Sequence, residues 1–205
     1  PTQGAALALK ARVLLYWASP LNNPDNDMSR YQAVVETTEK LKRLEGVKYG
    51  LVDLESNTGY LNVFVSQTNT DRYNKEILFS TNNSPISLGG RGYTGPSQNM
   101  VDAFGMADGT DFDWNNPVHA AAPYENRDPR FYMNIAYNGM DFKMNMQSTT
   151  IETFAGGKDA AGAYTTSTRT GYYLKKAMSN DVVWDGGTAN SVNRTWPLIR
   201  YAEVL

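Results

Sequence analysis

The fifteen residues GAALALKARVLLYWA, 4–18, constrain this chain more than any other stretch. Lys10 and Arg12 are its only charges, and no Gly or Pro interrupts Ala5–Ser19. A segment that is apolar almost all round reads as a helix buried on most sides. Ala6, Ala8 and Ala11 are small enough to let a second helix come close. Pro20 marks the end, and NNPDND is a polar loop. Asp27 or Ser29 can cap the next helix. There Tyr31, Val34, Val35, Thr38 and Leu41 recur at helical spacing, and Gly46 is the stop. Two antiparallel helices over 4–46 make a repeat-like hairpin, and Ala11, Leu15 and Ala18 partly match the second helix of a tetratricopeptide unit.

A second pattern runs through ENRDPRFYMNIAYNG, 125–139. Phe131, Met133, Ile135 and Tyr137 fall at every second position, which predicts a strand with one buried face. Asn138-Gly139 is a strong hairpin signal. Met140, Phe142, Met144 and Met146 alternate after it. A two-residue loop would set Tyr137 opposite Met140, Ile135 opposite Phe142, Met133 opposite Met144 and Phe131 opposite Met146. The charged head before the pattern reads as scaffold. Pro129 pushes Asp128 out of the helical region, and Arg127 and Arg130 can bond carboxylates or carbonyls where the strand begins.

Elsewhere the signals are shorter. Residues 47–75 read as loop with a short helix near 58–65, and EILFS, 76–80, as a buried strand or extended segment. Ser97 can cap a helix over Gln98–Phe104 that Gly105 ends. ADGTDFDWNNPVHAAAPY and residues 147–168 read as loop, and TGYYLKKAM as a strand whose Lys175-Lys176 end is solvated. TWPLIRYAEVL predicts the start of a further helix over 195–205, with Pro197 in its first turn.

Composition removes several classes of function. The chain has 205 residues and a formal charge of −2, so charge gives no reason to expect nucleic acid or an anionic membrane surface. It has no cysteine and one histidine, His119. That excludes disulfides, thiolate zinc sites and metal sites built on several imidazoles. No apolar run is long enough to cross a membrane. Both ends look cut, so the chain reads as a single-domain fragment of a longer protein.

The combination GAALALKARVLLYWASP, EILFS, PSQNMVDAFGMADGT, NRDPRFYMNIAYNG, GYYLKKAM and PLIRYAEVL, in that order, resembles the SusD/RagB family of surface glycan-binding lipoproteins. The resemblance implies a mainly α fold, in which tetratricopeptide-like helix pairs form a scaffold and long loops with a small β-hairpin or sheet carry the ligand surface. The helical pair would be 4–46 and the ligand side 47–178. It implies a lipid-anchored outer-membrane protein, its anchor outside this sequence, that captures oligosaccharides for a SusC-like TonB-dependent outer-membrane transporter. It implies no enzyme and no cofactor. Sugar-contacting residues vary within the family, so none carries over by motif.

The candidate ligand residues therefore come from the residues themselves. A sugar ring offers an apolar C–H face and a rim of hydroxyls, which suits a flat aromatic beside amides and carboxylates. Trp114 fits best, in a polar loop beside Asp111, Asp113, Asn115 and Asn116. Packing onto the scaffold is its alternative reading. Tyr124 and Trp184 follow on the same argument, with Tyr60, Tyr93 and Tyr164 after them, whereas Trp17 and Trp196 read as core. The spacing of Asp111, Asp113 and Asn115 starts like an EF-hand but lacks the following glycine and the closing glutamate, so that motif is rejected and an irregular calcium site is the remaining metal reading. His119 reads as a solvent-facing loop residue. Asp102, Asp108 and Glu125 are the carboxylates a glycoside hydrolase would need, yet nothing in their spacing sets them across a cleft. The alternative to glycan binding is a scaffold that mainly binds the transporter, or captures peptides.

Overall fold

The computed structural model describes residues 2–46, 48–53, 59–65, 74–83, 94–144, 147–165, 167–176, 184–185, 188–189 and 194–205. The fold is mainly α, with short strands in small two-stranded sheets. The chain divides into two compact units, Pro1–Asn83 with Arg194–Leu205, and Ser84–Asn193.

The first unit begins with α1 (Gln3–Ala18) and α2 (Met28–Lys42). Thr2 caps α1 by accepting from the Ala5 N–H, and Asp27 caps α2 by accepting from the Ser29 N–H. The connection is fixed by Asn23, which is buried and fully used. Its Oδ1 accepts from the Asp27 N–H at 2.8 Å, and its Nδ2 donates to the carbonyls of Ala18 and Asp27. Small residues make the helix contact, as expected for Ala8 and Ala11, which are buried, although Ala6 is exposed.

The expectation that α1 is buried on most sides does not hold. Its buried positions are Gly4, Ala5, Ala8, Ala11 and Ala18, all small. Leu9, Val13, Leu15, Tyr16 and Trp17 are exposed, Trp17 at 46%. The alanine stripe gives α2 a close seat, and the large side chains project from the rest of the surface.

The unit is closed by β1 (Ile77–Asn83) and β8 (Arg194–Arg200), an antiparallel pair in which Phe79 lies opposite Ile199 and Thr81 opposite Trp196. The strand at EILFS is as expected. The helix predicted over 195–205 is not: the segment is β8 followed by a 3-10 turn at Tyr201–Glu203. Ile199 and Tyr201 join Ala8, Leu41 and Leu78 in one core, and a helix would not give them this spacing while pairing with β1. Trp196 is 42% exposed, so neither it nor Trp17 is a core residue. The short helix expected near 58–65 is α3 (Gly59–Val65), with Val63 and Phe64 buried.

The second unit holds α4 (Gln98–Asp102), α5 (Pro117–Ala121), α6 (Pro129–Asn134) and the short strands β2 (Ile135–Ala136), β3 (Asp141–Met144), β4 (Gln147–Thr150), β5 (Tyr173–Leu174), β6 (Trp184–Asp185) and β7 (Thr188–Ala189). Ser97 caps α4 as expected.

The hairpin predicted around Asn138-Gly139 is replaced by a different arrangement. Residues 129–134 are helical, because Asp128 accepts from the Arg130 N–H at 2.8 Å as N-cap and Pro129 takes the first helical position. Phe131, Met133 and Asn134 are the buried positions of that helix, and the chain turns extended at Ile135 to enter β2. Ile135 lies opposite Leu174, not Phe142, and β3 pairs with β4 inside what was expected to be loop. Asn138-Gly139 does turn, with Gly139 at φ 82°, but the chain after it pairs forward: the Ile151 N–H donates to Met140 O at 2.9 Å. The residues 145–146 that join β3 to β4 lie outside the described set.

The charged head is scaffold, as its sequence suggests. Arg127 is 2% exposed. Its guanidinium donates to the carbonyls of Val101 and Pro123, both at 2.7 Å, and to those of Phe104 and Gly105. Val101 is in the last turn of α4 and Phe104 and Gly105 follow it; the Val101 and Gly105 carbonyls also accept from the Phe104 and Asp128 N–H groups. The cation also sits 4.1 Å from the Phe112 ring centre and 4.7 Å from that of Phe131.

Candidate functional site

The loop that carries Trp114 is built by its own side chains. Gly105 approaches the Thr110 carbonyl so closely that a Cβ there would lie 2.5 Å from that oxygen. Asp108 Oδ1 accepts from the Thr110 N–H at 3.0 Å and from its hydroxyl at 2.7 Å, and these bonds hold its carboxyl below the usual range. Asp113 Oδ1 accepts from the Asn115 N–H at 2.8 Å and from its side-chain amide at 3.0 Å. Asn116 caps α5 through the Val118 N–H. Such short-range bonds are how Asp and Asn set turns.

Phe112 is the buried anchor of the loop, with Arg127 over its ring and His119 stacked on it at 5.5 Å. His119 differs from expectation. It lies on α5, is half-buried, and its Nδ1 accepts from the Asp113 N–H at 3.2 Å, which requires that nitrogen to be unprotonated.

Trp114 packs nearly perpendicular to Phe112, at 5.0 Å between ring centres and 82° between planes. Its Nε1–H donates to Asp102 Oδ2 at 3.0 Å. The indole is nevertheless 46% exposed, flanked by the exposed Asp113 and Asn115. The three residues nominated on this loop are therefore together: an aromatic surface, a carboxylate and an amide. That set can stack on the C–H face of a sugar and bond its hydroxyls.

The other nominations fall elsewhere. Tyr124 is half-buried against Tyr137 at 4.5 Å and stacked with Phe131 at 6.2 Å, beside the core of Val101, Phe131, Ile135 and Tyr172. Burial, and then its hydrogen bond with Tyr172, push its phenol well above the ordinary range. Trp184 has its backbone in β6, and its side chain lies outside the described residues, as does all of Tyr93. Tyr164 is strongly exposed and Tyr60 packs on Phe64. Lys175 is not a solvated end: its Nζ donates to Tyr132 O at 2.6 Å, and burial pulls its pKa down.

Of the carboxylates, Asp102 is held by Gln98 at 2.7 Å and by Trp114, and Asp108 by Thr110. Among the described residues no three His, Asp or Glu side chains gather as metal ligands. A groove of about 120 Å³ lies in the first unit, lined by Ala8, Ala11, Leu15, Val34, Ile199 and the Arg12–Glu203 ion pair, and contains none of the nominated residues. The sequence did not reveal Asp102 as the partner of Trp114. The two are twelve positions apart, Asp102 on the short helix and Trp114 in the loop that follows, and only the tertiary path of that loop joins them.

The combination of helix pair, small sheets and an aromatic surface loop is that of a mainly α scaffold. The chain belongs to the SusD family, whose model matches residues 58–205. A comparison with curated proteins found no match. Among solved structures, a SusD-like protein from Bacteroides fragilis NCTC 9343 is similar with a TM-score of 0.72 and 27% identity, over 99% of this chain and 41% of that one. A SusD-like carbohydrate binding protein from the same strain is similar with a TM-score of 0.64 and 21% identity, over 98% of this chain and 38% of that one. The chain thus spans about two-fifths of the length of these solved relatives.

Proposed function

We propose that this chain is the glycan-binding part of a SusD-like outer-membrane surface lipoprotein, one that captures oligosaccharides without covalent chemistry for a SusC-like TonB-dependent transporter. Family membership supports the class. The carbohydrate binding named for one similar structure supports the ligand. Among the described residues no helix is long and apolar enough to cross a membrane, and anchoring through a lipid does not need one. The observation that carries the ligand reading is Trp114, pinned at one end, half-exposed, and flanked by exposed Asp113 and Asn115.

Affinity electrophoresis of the full chain through amylopectin, pullulan, xyloglucan, arabinoxylan, galactomannan and levan tests it. One of these gels should retard the protein, and Trp114→Ala should weaken that retardation roughly tenfold or more, as for a central aromatic contact. Retardation that survives the substitution would place the site elsewhere. The exposed apolar side of α1, with Leu9, Val13, Tyr16 and Trp17, favours a second reading as a scaffold for the transporter or for peptides. No retardation in any gel would favour that reading.

A further inference from the structure

Resting on the glycan reading of Trp114, we infer that Asp102 is the positioning residue of the binding surface, the last link of a hydrogen-bond relay that ties an exposed indole to the core. The relay starts at Tyr172, which is buried with Val101, Phe131 and Ile135. Its hydroxyl donates to Gln98 Oε1 at 3.1 Å. The other end of that amide, Nε2, donates to Asp102 Oδ1 at 2.7 Å. The remaining oxygen, Oδ2, accepts from Trp114 Nε1 at 3.0 Å.

Each link suits its neighbours. A carboxylate has two oxygens and accepts only, so it can take one donor from the scaffold and one from the ligand surface. A primary amide accepts at one end and donates at the other, so Gln98 passes the constraint from a phenol to a carboxylate. Gln98 and Asp102 stand four residues apart on α4, neighbours on one face of a helix. Phe112 blocks the indole from the side, and His119 holds the backbone N–H of Asp113, the residue before Trp114. The relay fixes the rotation of the indole, which packing against one ring does not do. An exposed tryptophan loses rotamer freedom when it stacks on a ligand, and that loss weakens binding. Here it is already made in the free protein. Asp102 touches no ligand and acts through Trp114.

The test combines two readouts on the 15N-labelled full chain. The first is the Trp114 indole N–H resonance, assigned with Trp114→Phe, and its exchange rate with solvent. The second is retardation in whichever of the six polysaccharide gels holds the wild type best. Asp102→Ala should shift the indole resonance, speed its exchange at least tenfold and weaken retardation roughly tenfold. Asp102→Asn keeps an acceptor oxygen and should recover part of both. Gln98→Ala cuts the relay one link further back, from an exposed position, and should move both in the same direction by less. If Asp102→Ala does not fold, Asp102→Asn and Gln98→Ala carry the test. An indole resonance unmoved by all three variants overturns the inference. So does a moved resonance with wild-type retardation. If no gel retards the wild type, the glycan reading itself fails and the inference falls with it.

Discussion

Arg127 shows how one residue can organise a loop-rich unit. A buried guanidinium needs its donors satisfied and its charge offset, and this one uses carbonyls at and just after the end of α4, the Pro123 carbonyl and two aromatic rings. Burial lowers its pKa and nearby Asp102 opposes that, so it remains a cation in the folded state. Truncation would take a charged donor from the Phe104 and Pro123 carbonyls and open a cavity between Phe112 and Phe131. Arg127→Ala should therefore cost about 3 kcal/mol or more in urea unfolding. Arg127→Lys should recover little, since one ammonium cannot reach carbonyls spread around a planar fork. A loss below about 1 kcal/mol in both variants would show that the carbonyls find other partners.

Among the secondary-structure elements, α6 turns on its cap. Asp128 sits below the usual carboxyl range, first because the Arg130 side chain donates to it, with burial opposing and the Arg130 N–H helping. A depressed carboxyl stabilises the fold above its unfolded value of about 3.9 and loses that contribution as pH falls through the lower folded value. Asp128→Ala should cost about 1 kcal/mol at pH 7. The gap to wild type should narrow as pH falls below about 3.9 toward the depressed folded value, because the wild type loses its ionised cap and the variant has none to lose. A gap that stays constant in urea melts from pH 7 to pH 3 would mean the carboxylate charge contributes nothing. The cap is also legible in the residues alone, since Asp followed by Pro is a local start signal for a helix. The alternation of Phe131, Met133 and Ile135 points the other way. Burial of every residue from 133 to 136 explains why apolar spacing there discriminates poorly between helix and strand.

At the scale of the whole molecule, the first unit is closed by residues far apart in sequence. Glu76 is buried at the start of β1 and bonds Arg200 at 2.8 Å and the Val52 N–H at 3.1 Å. Its backbone carbonyl takes the Tyr201 N–H at 2.7 Å. Glu76→Ala should lower stability by about 2 kcal/mol or more, because it leaves Arg200 and a backbone donor short of their partner. A denaturation midpoint equal to wild type would show that Glu203, 3.7 Å from Arg200, already suffices.

Features that act over a few residues follow from the amino-acid order alone. The caps at Asp27 and Ser97, the two long helices, the short helix near 58–65 and the strand at EILFS are where their local patterns put them. The resemblance carried by NRDPRF, GYYLKK and LIRYAEVL also identifies the family. What those segments meet is settled only by the folded chain. TWPLIRY is a strand because β1 offers it a ladder and a core for Ile199 and Tyr201. The large side chains of α1 are exposed because small residues make its contact with α2. Trp114 gains a fixed orientation because the loop path brings it to Asp102. Caps and turns are settled within about four residues of chain. Strand pairing and burial depend on partners that the chain brings together only when it folds.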